Sequence, residues 1–258
     1  MSDDFSDSSG GGDSFTETST EGWSSRLGGS LIAALIGLVL VPAAVVLLYW
    51  NEGRAVDAIR ALDRGAGAIV EVNATAVAPK ADGKLVHLTG TMRPGTPARD
   101  PAFGVTGDGL VRLSRKAEMY QWEEQSKSES HENVGGSKTT TTIYSYRKIW
   151  LDHPVDSAHF HAQGDHRNPQ MAVRSSIYDA GNVRLGAYKV DTPVLNRLSS
   201  FGPLPALPAP PADYRVSGDG YYRGQDQAQP AVGDIRVSFT GLASQTVSVA
   251  AASAGGMR

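Results

Sequence analysis

From Leu31 to Trp50 the chain runs twenty residues without a charge, LIAALIGLVLVPAAVVLLYW. As a helix this stretch is about 30 Å long, the thickness of a bilayer's hydrocarbon core. Leu27, Gly28, Gly29 and Ser30 extend the uncharged band to 24 residues. Trp23 lies before it, and Tyr49 and Trp50 close it, where interfacial aromatics belong. Pro42 falls inside, and a kink there is tolerated in a membrane helix. A cleavable signal peptide opens on basic residues and ends at small ones. Here the preceding flank is acidic, and the run ends in Tyr-Trp-Asn-Glu. A soluble core helix is rarely apolar on every face over such a length. Residues 27–50 are therefore read as a transmembrane helix, and the rest must fold while tethered to a membrane.

Charge divides the chain into three regions. Residues 1–26 hold six acids and one base, Arg26, for a net of −5, while residues 27–50 carry none. With a total of −3, the remainder is close to neutral, which argues against a nucleic-acid partner. Residues 1–22 offer only Phe5 and Phe15 as large apolar groups. That is too little burial to offset chain entropy, so 1–26 is expected to be a disordered acidic tail. The chain has no cysteine, which excludes disulfides, thiolate metal sites and thiol nucleophiles together. Orientation is less clear: Arg26 stands before the helix, against Arg54, Arg60 and Arg64 after it. This count points the following domain to the cytoplasm, but long domains cross regardless of charge.

Past Trp50 a helical pattern continues, with Ala55, Ile59 and Leu62 on one face and Gly65 as a C-cap. Residues 51–65 are expected to form a juxtamembrane amphipathic helix, kinked at Gly53. Residues 66–258 read as a mostly-β (α+β) domain. Ile69–Val72, Leu85–Thr89 and Ile235–Phe239 alternate apolar and polar positions, and Thr246–Ala250 reads as a further strand. Arg112–Glu124 and Thr139–Trp150 read as two long antiparallel strands, joined by a polar connection over 125–138 with Gly135-Gly136 at its tip. Strand alternation then places Tyr120 and Trp122 on one face, and Tyr144, Tyr146 and Trp150 on one face of the partner. If those faces coincide they form one aromatic cluster, either core or a lipid- or partner-binding surface. Thr192 and Pro193 start a helix carrying Val194, Leu195, Leu198 and Phe201. Residues 201–213 follow as a Pro-rich connector.

Catalytic signals are weak. Residues 152–169 hold four of the six histidines: His153, His159, His161 and His166. On a strand His159 and His161 would share a face and, with Asp156 or Asp165, ligate zinc for a metal-dependent hydrolase. His131-Glu132 has Gly135 where a zincin needs its second His, and Lys138 lacks the Gly of a phosphate loop before it. No G-x-S-x-G elbow occurs. No cofactor is expected.

Six segments, taken together and in order, are more specific. They are Asn51-Glu52-Gly53-Arg54-Ala55, Gly83-Lys84-Leu85-Val86-His87 and Glu118-Met119-Tyr120-Gln121-Trp122. Tyr144-Ser145-Tyr146 follows, then His166-x-Asn168-Pro169, then Gly233-Asp234-Ile235-Arg236. This series resembles the transmembrane protein 43, or LUMA, family across residues 23–240. The resemblance implies a domain outside the cytoplasm: in the lumen of the endoplasmic reticulum or nuclear envelope of eukaryotic relatives, in the periplasm of a bacterial member. It also implies a C-terminal group of membrane helices that follows the part seen here. It suggests a non-enzymatic scaffold that forms homo-oligomers, contacts membrane lipids and organises other membrane proteins or envelope structure; animal relatives are associated with nuclear-envelope organisation through lamins and emerin. A lipid or envelope-stress sensor is the alternative. His166, Asn168, Pro169, Gly233, Asp234 and Arg236 are expected to hold turns and strands, and Glu52 and Arg54 to meet headgroups or neighbouring charges.

Overall fold

A computed structural model describes residues 5–6 and 14–253. The chain divides into two compact units. One comprises residues 1–60, 122–149 and 155–168, the other residues 61–121, 150–154 and 169–258.

The second unit is the β body. The Leu110–Glu132 strand, in its first half, pairs antiparallel with Ile235–Ala243, from Ile235↔Met119 to Ala243↔Leu110. Gly220–Arg223 and Arg215–Ser217 extend this sheet on one side, and Ser176–Asp179 pairs with Leu110–Glu132 on the other. A second sheet pairs Leu85–Arg93 with Thr246–Ala252 in seven-residue register, and Val70–Glu71 lies parallel to Leu85–Arg93. Asp82-Gly83 forms the turn before Leu85, with Gly83 at φ 72, a conformation that favours a residue without Cβ. The core draws on both sheets: Met92, Val111, Leu113, Met119, Phe239 and Leu242 are all buried.

The expected helix shrinks to one turn, Thr192–Leu195, with Asp191 rather than Thr192 at the N-cap. Leu198 and Phe201 lie beyond it yet still pack on the core. The Pro-rich stretch is more than a spacer. Gly202–Pro203 pairs with Ile235–Ala243, Leu204 and Leu207 reach the core, and the Pro208 carbonyl accepts from Tyr221 Oη at 2.7 Å.

The main helix runs Trp23–Ala68 in one piece, its residues to Arg60 in the first unit. It corrects two boundaries, since the membrane and juxtamembrane helices are continuous through Gly53 and helix persists past Gly65. The expected apolar face at Ile59 and Leu62 lies outside the described side chains. Within this helix Ala34–Asp57 spans 24 residues, and its most apolar stretch is not buried by protein. It is the single span among the described residues long and apolar enough to cross a membrane. Leu38, Val41, Val45 and Leu48 are each about two-thirds exposed. An apolar surface of this extent with no protein against it is what hydrocarbon covers.

Two further expectations are corrected here. The hairpin connection is short: Leu110–Glu132 stays a strand to Glu132, and Lys138–Leu151 starts directly after the turn. Its far part has no core to bury, so apolar periodicity is blind to it. Ser128–Thr142 and Ser130–Thr140 hydroxyl pairs bridge the strands instead. The turn closes through Gly136 N–H donating to Asn133 O, with Gly135 and Gly136 both at positive φ. Nor is the acidic tail free of structure. Ser14–Glu21 pairs antiparallel with 138–145, and Phe5–Ser6 pairs with Thr18 and Glu17. Composition underrates this segment because an edge strand needs a template, not a core. Alternating Thr16, Thr18 and Thr20 suit a strand. Residues 1–4 and 7–13 of the expected tail lie outside the described residues.

Candidate functional site

Four of the six family-like motifs form two centres, one in each unit. In the hairpin unit, Asn168 acts as a substitute strand neighbour. Trp122 N–H donates to Asn168 Oδ1 at 2.7 Å, and Asn168 Nδ2 donates back to the Trp122 carbonyl at 2.9 Å. The Asn168 N–H is held by Ser157 Oγ at 2.9 Å. One side-chain amide thus completes a backbone ladder where no strand is present.

Above it lies an aromatic stack. The His166 ring sits 3.9 Å from Tyr146, nearly parallel, and meets Trp122 edge-on at 4.6 Å. Its Nδ1 donates to the Ala162 carbonyl at 3.0 Å. Lys148 Nζ lies 4.5 Å from the Trp122 ring centre, a cation–π contact. Tyr146 Oη donates to Glu124 Oε2 at 2.6 Å and accepts from Ala162 N–H. The same Glu124 oxygen accepts from His161 N–H at 2.6 Å. Burial, then the hydrogen bond to Glu124, pushes the Tyr146 phenol up to about 12 from 10.0. The folded-state value is raised, so this contribution is complete below pH 10 and is lost as pH rises from 10 through 12. Absorbance titration at 295 nm, in which Tyr144, Tyr214 and Tyr221 also ionise above pH 10, should include one tyrosine step that coincides with hairpin loosening. Tyr146→Phe should remove that step.

Trp122 and Tyr146 are buried, so they do not form an open lipid or partner surface. The expected single cluster is two clusters, because Tyr120 and Trp150 belong to the body. There their rings lie 5.3 Å apart. Arg236 places its guanidinium 4.6 Å over Trp150 and donates to Glu118 Oε2 at 2.7 Å. Burial works against ionised Glu118, but its hydrogen bonds with Arg236 and Lys116 outweigh burial and lower its pKa. Beside this pair, Asp234 Oδ2 accepts from Tyr222 Oη at 2.6 Å and from Ala231 N–H at 2.9 Å. Burial and this carboxylate push the Tyr222 phenol far up. Gly233, at φ 99, donates its N–H to the Tyr120 carbonyl, and Tyr120 N–H donates to the Asp234 carbonyl. A Cβ on Gly233 would come within 3.0 Å of Pro169 Cγ. Gly-Asp-x-Arg is therefore a strand-end clasp.

Residues 51–54 lie on exposed helix, with Arg54 5.3 Å over the Trp50 ring. The proposed histidine pair does not assemble as expected. His159 sits on the short 3-10 turn Ser157–His159 and pairs with Asp156 at 3.0 Å, while His161 stacks on Tyr144 at 4.2 Å. The segment is a turn rather than a strand, so the shared face is lost. Among the described residues no group of three His, Cys, Asp or Glu side chains is placed to hold a metal. The body does carry a pocket of about 290 Å³ of mixed lining, with Leu88, Leu185, Val190, Val194 and Val249 beside Tyr188, Lys189 and Asp191. Sequence patterns missed Glu124 and Tyr222, whose roles depend on partners 37 and 12 residues away.

A family model described as Transmembrane protein 43 matches residues 119–257, more than half the chain, and it covers both centres apart from Lys116 and Glu118. The chain belongs to the transmembrane protein 43 family. It is 34% identical over 223 residues to Transmembrane protein 43 of Rattus norvegicus, covering 85% of this chain and 55% of the rat protein. The Homo sapiens protein is 32% identical over 227 residues, with coverages of 86% and 56%. The Drosophila melanogaster homolog is 31% identical over 229 residues, with coverages of 84% and 59%. The chain thus spans little more than half the length of these relatives. No solved structure matches it. As a member of this family the protein is a membrane protein, and Ala34–Asp57 is its membrane-crossing helix.

Proposed function

We propose that this protein is a non-enzymatic membrane scaffold, self-associating and organising neighbouring membrane proteins, with its β body on the extracytoplasmic face. One observation carries the proposal. Three polar residues of the family-like motifs are consumed by the fold: Asn168 holds Trp122, Asp234 holds Tyr222 and Ala231, and Arg236 holds Glu118. None of these three stands in an open cleft beside a nucleophile or a base, the arrangement that catalysis requires; His87 of the second motif does contact Ser248 Oγ at 2.6 Å and Glu71 Oε1 at 3.0 Å, on the exposed side of the second sheet. Such positions maintain a rigid surface on a tether, which suits assembly rather than turnover. The compartment follows the family rather than the basic residues, and would be the periplasm on a bacterial inner membrane. In eukaryotic relatives it would be the lumen of the nuclear envelope or endoplasmic reticulum.

Crosslinking in native membranes tests this. Homo-oligomers and the same neighbouring membrane proteins should be recovered from replicate preparations. Recovery of monomer alone, with no reproducible neighbour, would contradict it.

A further inference from the structure

The Ser14–Glu21 strand and the crossing helix cannot both be satisfied within one chain in a bilayer. Ser14–Glu21 precedes Ala34–Asp57, and the hairpin follows it. No second span occurs among the described residues. Once the helix crosses, the tail lies on one face and Lys138–Leu151 on the other. A hairpin carrying Lys127, Glu129, Glu132 and Lys138 cannot enter the hydrocarbon to bridge them. In the inserted protein the edge over 138–145 is therefore left without the strand that fits it.

The fit is specific. Eight consecutive pairs run from Ser14↔Ser145 to Glu21↔Lys138. Phe15, Glu17 and Glu21 are separated by even numbers of residues and share a face. Phe15 rests 4.5 Å from the His161 ring, which itself stacks on Tyr144. Tyr144 Oη donates to Glu17 Oε2 at 3.5 Å, and Glu21 stands opposite Lys138. The acceptor edge reads Lys-Thr-Thr-Thr-Thr-Ile-Tyr-Ser, with one charge and no proline. Natural edges of that kind template another strand unless blocked.

We propose that in the membrane this edge is a strand-acceptor site for an extended segment of a partner protein. That segment is Ser/Thr-rich, carries an aromatic residue for the Tyr144–His161 shelf, and has acids two and six positions later. Binding is by β-augmentation, with main-chain hydrogen bonds supplying affinity and the shelf supplying selectivity. The inference rests on the crossing helix and stands apart from the scaffold proposal.

The test uses the full chain in lipid nanodiscs and a fluorescein-labelled peptide with the sequence of residues 14–21. Anisotropy should rise saturably. Replacing the peptide's phenylalanine by alanine should weaken binding about tenfold. N-methylating alternate peptide amides on the paired edge should abolish it. No binding, or equal binding of the N-methylated peptide, overturns the proposal. So does an intrachain disulfide in nanodisc-inserted Thr16→Cys/Ile143→Cys protein, which would show the chain's own tail occupying the edge. A disulfide between copies of Ile143→Cys protein that blocks the peptide overturns it in favour of a second copy.

Discussion

Asp100→Ala is expected to lower the stability of the β body by about 3–5 kcal/mol, the cost of stranding a buried charge. Asp100 is fully buried, and Arg115 grips it with Nη1 at 2.9 and 2.7 Å from its two oxygens. The guanidinium is further fixed by Nε donating to the Arg174 carbonyl at 3.0 Å. Phe103 and Tyr178 lie 5.4 and 5.6 Å from it. Removing the carboxylate leaves this cation buried and only partly compensated. It also frees the Ala102 N–H, which Asp100 Oδ1 accepts at 2.9 Å. Urea unfolding of the full chain in mild detergent, followed by far-ultraviolet circular dichroism, gives the difference. The double variant Asp100→Leu/Arg115→Met should recover part of the loss, because no charge is left unpaired. A single-variant loss below about 1 kcal/mol would mean that water reaches the pair.

Asp234→Ala should be the next most damaging change, at roughly 2–4 kcal/mol, since bonds to an ionised acceptor are worth ~1.5–3 kcal/mol each and are not fully additive. It removes the nearer of two acceptors from Tyr222 Oη, the Asp226 carbonyl at 3.0 Å remaining, and the acceptor of Ala231 N–H. Tyr222 is buried among side chains and cannot turn to solvent. Asp234→Asn keeps an accepting oxygen and should cost about half as much. The same contact sets an alkaline limit. The Tyr222 pKa is raised, so its contribution holds below pH 10 and fades as pH rises beyond it. Should Asp234→Ala unfold at the same urea concentration as the parent, the clasp would not be what holds this end of the sheet.

Much of this architecture is legible from local pattern. The uncharged run defines the helix, and alternating apolar residues define the strands that line a core, such as Ile235–Phe239. Reading failed where stabilisation is not apolar or not local. Residues 125–132 pair through hydroxyls in solvent, leaving no periodicity to detect. Ser14–Glu21 is a strand only because a template more than a hundred residues away in sequence accepts it, as in Ser19↔Thr140 or Glu17↔Thr142 and their neighbours. Tyr120 and Trp122 share a strand face, yet their partners differ: Trp150 for one, His166 for the other. Alternation gives the face and says nothing about which side chains cover it. The motif positions were recognisable as a set, but Asn168 completing the Trp122 ladder is visible only in three dimensions.

The central claim is that one helix separates the tail from the body across a membrane. Cysteine is absent from the natural chain, so single labels are unambiguous. Ser14→Cys and Ser137→Cys proteins, each in sealed vesicles of defined orientation, are treated with a membrane-impermeant maleimide before and after lysis. One position should label from outside in intact vesicles and the other only after lysis, with Ser137 on the extracytoplasmic side. Equal accessibility of both positions, in the same vesicles, would contradict the crossing helix and leave the Ser14–Glu21 pairing intact in the membrane.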